Sequence, residues 1–343
     1  MNQDQLAIFD NPAFGVRSLS TAINIVPNKD SIWNSMGLFK SEFLYGTNFS
    51  IEYKNGVINL VPSAVRGAPG AKNRTGKRHI RSFEIPHFPI EDGLLADAIQ
   101  NKRKFGSDDQ LEVVEEIVNE RLDTMADKLD VTREWLRNGA VHGLIQDADG
   151  STMFDLFTEF GVTEEVFDFD FSGSPNIEKT AAEIKRYYRK IKKGETVTGV
   201  VVLGSVGFMD KVMQDAETRE AYRFFNNAQG KNPNRDSMRD NFTHYGLTFV
   251  EYDGTVDYYN PLTDTTTTYD YLADGEARII PLGTKQVFTE NFAPADYMET
   301  VNTKAQERYA KQEPMRFGKG IDMEAQMNVL PMVSRPEFLV KAK

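Results

Sequence analysis

Four groups of residues in this chain have types that could do chemistry, and each is judged by the spacing that chemistry needs. The densest is "SAVRGAPGAKNRTGKRHIRSF" at 63–83, with Arg66, Lys72, Arg74, Lys77, Arg78 and Arg81, glycines Gly67, Gly70 and Gly76, and no acid. A glycine-rich turn ending in Lys can cradle phosphate, but that motif needs glycine where Ala71 stands and Ser or Thr where Arg78 stands. "DFDFSGSPNIEK" opens like a calcium loop with Asp168, Asp170 and Ser172, yet Lys179 takes the place of the bidentate Glu. A turn capping the next helix fits it better. Ser205 in "LGSVG" sits between a strand pattern and a helix pattern, one residue short of a nucleophile elbow, and reads as a helix cap. His79, His87, His142 and His244 include no pair at the i,i+3 or i,i+4 spacing of helical metal ligands. The chain has no cysteine, which excludes disulfides, thiolate nucleophiles and zinc–thiolate sites. Nothing here points to catalysis, a cofactor or a metal.

The elements that must carry these residues follow from periodicity. Residues 46–62 alternate through Phe49, Ile51 and Tyr53, and 78–90 alternate through Ile80, Phe83 and Ile85 with one slip. With the basic stretch between them they predict a long two-stranded ribbon with a glycine-rich tip. Such a ribbon has little core of its own and needs a surface to lie on. The strongest helix is predicted over 107–137, with Ser107 and Gln110 as a capping box and Leu111, Val114, Val118, Leu122, Met125 and Leu129 at helical spacing. It would be roughly 45 Å long. Its acids (Asp108, Asp109, Glu112, Glu115, Glu116, Glu120, Asp123, Asp127, Asp130, Glu134) outnumber Arg121, Lys128, Arg133 and Arg137, which predicts a strongly acidic outer face. Its carboxylate pairs lack the apolar pocket that would raise a pKa.

Asp149-Gly150 predicts a hairpin. A second helix is expected over 175–193, with Ser174 as cap and Pro175 in the first turn. "TVTGVVVLG" (196–204) reads as a buried strand, and Ser205–Phe225 as a third helix. Two strands, "YGLTFVEYDG" and "EARIIPLG", flank a Thr/Asp/Tyr-rich excursion at 253–275, and the chain closes with a strand pair bent at Pro331 and Pro336. Residues 1–45 scatter apolar side chains among Asn, Pro, Gly and Ser, and read as an arm that packs on something else. The mixture is α+β, without internal repeats.

The 343 residues hold 40 Lys+Arg against 51 Asp+Glu, a net of −11. Without the six loop cations, 34 basic residues face the 51 acids, a net of −17. That balance argues against general nucleic-acid binding and leaves DNA or RNA binding by the loop 63–83 as an alternative. The alternative lacks an aromatic stacking platform in the loop tip. No apolar run approaches the roughly 18 residues a membrane span needs, and "MNQDQLAIFDNPAF" has no signal-peptide pattern.

Three long stretches carry a family resemblance: "RSFEIPHFPIEDGLLADAIQNKRKFG" with the basic loop before it, "VVEEIVNERLDTMADKLDVTREWLRNGAVHGLIQDADGS", and "ENFAPADYMETVNTKAQERYAKQEPMRFGKGIDMEAQMNVLPMVSRPEFL". In their order they resemble the major capsid protein of tailed bacteriophages, more narrowly the lambda-type major capsid protein E family. The resemblance implies an N-terminal arm (1–45), an extended β-ribbon loop (46–90) and a peripheral domain (91–194) with its spine helix at 107–137. It further implies an α/β axial domain (195–295) and return strands (296–343). The Thr-rich excursion would be an axial-domain hairpin near a symmetry axis. Copies would form hexamers and pentamers of an icosahedral shell around double-stranded DNA, in the virion after assembly in the host cytoplasm. The short segment before the ribbon leaves no room for a fused scaffolding domain, so a separate scaffolding protein is expected, with a portal and a decoration protein as further partners. An encapsulin-like compartment shares the fold and is the alternative. Some related capsid proteins crosslink through Lys and Asn. Lys72, Asn73 and Lys77 lie on the loop, but nothing in the sequence marks a matching partner. On this reading Arg66, Lys72, Arg74, Lys77, Arg78 and Arg81 meet acidic residues of an adjacent subunit, where charge complementarity sets register. The loop glycines let the tip reshape.

Overall fold

The computed structural model describes residues 16–25, 31–54, 78–99, 110–171, 176–220 and 242–343. Helix α1 (Val16–Ile25) buries Leu19 and Ile23, four residues apart on one face. Helix α2 (Ile32–Met36) starts at Ser31, whose hydroxyl accepts from the Trp33 N–H at 3.2 Å, and stops at Gly37 with φ +56°. After β1 (Lys40–Phe43), β2 (Asn48–Lys54) pairs antiparallel with β3 (Arg78–Glu84) in the ribbon the alternation predicts. Strand β4 (Phe88–Leu95) and α3 (Ala96–Ile99) precede α4 (Gln110–His142). This helix buries Val118, Leu122, Met125, Leu129 and Leu136, the apolar stripe expected of it, and runs five residues past the predicted end.

Strands β5 (Leu144–Gln146) and β6 (Thr152–Asp155) form the Asp149-Gly150 hairpin, with Gly150 at φ +83°. The Asp155 carboxylate caps α5 (Leu156–Phe160), and β7 (Glu165–Phe167) follows. Helix α6 (Ile177–Ile191) is capped by Asn176 and not by Ser174, because the Asn176 side chain accepts from the Lys179 N–H at 2.8 Å; Ser174 and Pro175 lie outside the described residues. Strand β8 (Gly199–Gly204) is buried, as its unbroken apolar run demands. Ser205 caps α7 (Val206–Gln214); the predicted helix breaks where Asp215 turns extended and resumes over 216–220, and the predicted residues beyond 220 lie outside the described residues.

In the C-terminal half, β9 (Phe242–His244), β10 (Leu247–Glu251), the hairpin β11 (Thr255–Asn260) and β12 (Thr265–Asp270), and β13 (Ala277–Leu282) come first. Then follow β14 (Phe288–Phe292), β15 (Tyr309–Pro314), β16 (Gly320–Met327), β17 (Val329–Val333) and β18 (Val340–Ala342). The predicted closing strand pair is therefore three strands. Pro331 lies inside β17 opposite Glu290, tolerated because β17 is an edge strand with its missing N–H facing away from a ladder, while Pro336 opens a 3₁₀ turn as expected of a bend.

The strands make a six-stranded mixed sheet in the order β7-β18-β13-β8-β10-β9, and two three-stranded sheets, β1-β14-β17 and β15-β16-β4. One contiguous apolar cluster runs from Leu19 to Ala342 beneath them. The fold is mixed helix and sheet, as predicted. The six-stranded sheet joins Glu165–Phe167 and Val340–Ala342 to strands between 199 and 282. The N-terminal segment differs from expectation. Its described parts pack on their own chain: α1 lies on β15, Trp33 is buried, and β1 pairs parallel with β14. No helix among the described residues is long and apolar enough to cross a membrane.

Candidate assembly surfaces

The residues that suggested chemistry serve local structure instead. Ser205 Oγ accepts from the Gly275 N–H at 2.9 Å and the Phe208 N–H at 3.4 Å, so it is held as a cap. Asp168 accepts from the Asp170 N–H at 2.9 Å, closing a turn in which Asp170 has φ +51°. His87 Nδ1 lies 2.8 Å from Asn328 Oδ1. His142 is pushed down to about 3, first by burial and then by Arg278 and Lys341. Among the described residues no cluster of His, Asp or Glu is arranged to hold a metal.

Of the six cations expected at an interface, Arg66, Lys72, Arg74 and Lys77 lie outside the described residues, as does the Arg78 side chain. Arg81 is exposed on β3, opposite Ile51, next to exposed Ile80. The base of the ribbon is fixed: Phe83 is buried against Phe49, Phe154 and Phe160, with ring centroids 5.7, 5.7 and 6.0 Å away. The ribbon thus leaves a rigid root with Ile80 and Arg81 facing solvent.

Helix α4 corrects the expected acidic outer face in part. Glu116, Glu120 and Asp123 are exposed. Asp130, Arg133, Glu134 and Arg137 turn inward. Arg133 donates from Nε and Nη2 to the two carboxylate oxygens of Glu290 at 2.8 and 2.5 Å, and Arg137 does the same at 2.9 and 2.8 Å. Burial alone would raise Glu290, but the paired guanidiniums outweigh it and hold the carboxyl below its ordinary value. The guanidiniums also sit over rings, Arg133 5.1 Å from the Phe292 centroid and Arg137 5.8 Å from that of Phe39. Glu134 accepts from Ser31 and, at 3.1 Å, from Tyr252; burial nevertheless keeps it above the usual carboxylate range. Residues 130, 133, 134 and 137 follow i, i+3, i+4, i+7 and share one side of the helix, beside the stripe of Leu122, Met125 and Leu129. Exposed Asp123 and Glu116 lie on nearly the same azimuth as Asp130 and Glu134, so what separates the inward charges is the set of partners that meets them further along the helix.

A second buried charge ties the N-terminal helix to the rest. Arg308 is almost fully enclosed and donates to Asp130 at 2.5 Å and to the Ile23 carbonyl at 3.0 Å. Its own N–H donates to Asn24 Oδ1 at 3.1 Å, and Asn24 Nδ2 donates back to the Arg308 carbonyl at 2.8 Å.

Against this closed interior, large apolar side chains stand in solvent. Leu262 is 93%, Met298 88% and Phe317 80% exposed. Leu262 tips the β11–β12 hairpin, which lies across α4 with Tyr269 5.2 Å from Trp135. Between hairpin and helix runs a groove of about 470 Å³ whose lining includes Val131, Trp135, Tyr258 and Tyr259. A second groove, of about 550 Å³, crosses the β15-β16-β4 sheet and is lined by Glu91, Asp92, Asp296, Glu313, Asp322 and Glu324, with Lys311 as its one cation. Neither groove gathers groups arranged for a reaction, and the apolar lining of the first is the kind of surface that takes a protein partner.

Comparison with known proteins agrees. The "Major capsid protein" of Salmonella phage Felix O1 is 26% identical over 355 residues, covering 96% of each chain. That of Pseudomonas phage KPP10 is 25% identical, covering 96% of this chain and 97% of that one. Among solved structures, a prophage protein of E. coli CFT073 assigned as its capsid protein superposes with a TM-score of 0.55 at 12% identity, covering 100% of this chain and 99% of that one. The capsid of an empty GTA particle reaches 0.51 at 9% identity, covering 91% and 88%. These last two speak to the fold, which is that of phage capsids. Residues 15–343 match the family described as "Phage major capsid protein E". The chain belongs to that family and is a structural protein of the capsid shell, not an enzyme.

Proposed function

We propose that copies of this chain close as hexamers and pentamers into an icosahedral head shell that holds double-stranded DNA. The basic segment of one copy then lies on an acidic surface of the next. The observation that carries this reading is the separation of charge. Six cations crowd into 63–83, while exposed acids gather on α4 at Glu116, Glu120 and Asp123 and along the groove of the β15-β16-β4 sheet. Opposite potentials across a contact set register and partner choice. Arg81, exposed beside Ile80 on the fixed root of the ribbon, is the described member of the set and points to the same role for Arg66, Lys72, Arg74, Lys77 and Arg78.

In this arrangement residues 1–45 are the arm, 46–90 the extended loop, 91–194 with the return strands 296–343 the peripheral domain, and 195–295 the axial domain. A separate scaffolding protein, a portal and a decoration protein complete the head, which assembles in the host cytoplasm. The DNA is enclosed without sequence-specific contact, and the chain's excess acid weakly repels phosphate from the wall. Replacing all six cations with Gln tests the reading. Sedimentation and negative-stain electron microscopy of the co-expressed head proteins should show few or fragile shells. Normal particles of full stability would overturn it. Nucleic-acid content of wild-type particles separates a DNA-filled head from an empty compartment.

A further inference from the structure

The turn joining β15 to β16 holds a side chain in a way the isolated chain does not use. Phe317 has φ +68° and ψ +15°, a conformation in which a bulky residue is a genuine outlier, and Gly318 follows at φ +64°. Such positions are normally filled by Gly, Asn or Asp. The ring buries little in exchange within its own chain, since Phe317 is 80% exposed. Nor is it loosely held. The Gly318 N–H donates to the Met315 carbonyl, the Met315 N–H to the Gly320 carbonyl, and the Ala96 N–H to the Lys319 carbonyl, each at 2.9 Å. Arg316 lies over the ring, 5.0 Å from its centroid. Leu95, paired opposite Gly320, adds a second exposed apolar side chain beside the turn.

Strain held in place by surrounding hydrogen bonds points to a function outside the folded chain. We propose that the turn 315–319 is a preformed anchor by which one copy grips another, with Phe317 as the inserted ring. The ring and its backbone are set before contact, so little freedom is lost on binding. Buried aromatics of this kind dominate interfaces. The partner is a second copy because the turn carries Arg316 and Lys319 and no acid, on a chain whose net charge is −11. What it fits is an apolar recess edged by carboxylates. A surface of that makeup exists on the same chain, in the groove whose lining joins Val131, Trp135 and Tyr258 to the carboxylates of Asp127 and Asp257, with Lys128 as its single cation. The inference rests on the chain being a shell protein.

The test compares Phe317→Gly and Phe317→Tyr with wild type, each full-length and co-expressed with the other head proteins of its phage. Glycine removes the ring and accepts the backbone. The unassembled Phe317→Gly chain should therefore melt no lower than wild type, while particle yield falls about tenfold or more, the loss expected when one anchoring aromatic leaves an interface. Phe317→Tyr keeps the ring and should assemble within about twofold of wild type, a difference below 1 kcal/mol. Wild-type yield of Phe317→Gly particles overturns the proposal. So does a Phe317→Gly chain that melts well below wild type, because the ring would then serve its own fold. Particles from the wild-type control report separately on the shell reading.

Discussion

The middle of α4 and the turn at 315–319 treat polarity in opposite ways. Between residues 130 and 137 the helix takes charges into the interior and matches each with partners, Glu290 receiving four hydrogen bonds from two guanidiniums. The turn puts an aromatic ring into water on a backbone that resists it. A chain meant to act alone would place these groups the other way round. The contrast indicates that the interior is built for exact placement of elements and the tips for another copy.

Breaking the interior should have the largest effect. Glu290→Gln takes from the buried Arg137 its carboxylate and leaves Arg133 only the half-buried Glu307, 3.0 Å away, so denaturant unfolding of the unassembled chain should show a loss of about 3–5 kcal/mol. A loss under about 1 kcal/mol would mean that the helix charges are no tighter than surface pairs, and the contrast would fail. Acid titration comes next. His142 in the folded chain is depressed to about 3 against an ordinary 6.5. The unfolded chain therefore takes up that proton first. The stability His142 contributes is complete above pH 6.5 and is lost as pH falls toward about 3. Glu290, held below its ordinary 4.5, has the same sign at lower pH. Unfolding free energies measured from pH 7 downward should fall in two stages, and Asn or Gln at 142 should flatten the first. The smallest effect should come from the tips. Leu262→Ser and Met298→Ser should leave unfolding of the isolated chain within about 0.5 kcal/mol. Particle yield is the readout in which they should differ from wild type, and a large stability change would place these side chains in the fold instead.

Periodicity made much of this legible. The apolar stripe of α4, the two alternating strands of the ribbon, the Asp149-Gly150 turn and the Ser205 cap all rest on short-range rules, and local spacing suffices for them. The inward charges on α4 were harder, because a charged residue on a helix normally signals solvent. Their place around the helix does not mark them, since exposed Glu116 and Asp123 share nearly the same azimuth as Glu134 and Asp130, and their partners Glu290 and Arg308 lie far away in sequence. The N-terminal helix was hidden for the same reason: two buried apolar residues, Leu19 and Ile23, are few, and the Arg308 contacts that fix it cannot be read locally. Of the expected interface cations, Arg81 is the one whose side chain the structure describes.

The bond between Arg308 and the carbonyl of Ile23 spans 285 residues of chain. At ribosomal rates of about 5–20 residues per second, α1 waits about 15–60 s after synthesis before its partner exists. Strand β7 likewise waits for Val340–Ala342, its parallel neighbour in the six-stranded sheet. The surfaces built on α1 and β7 therefore take their final form well after the segments that carry them have been made.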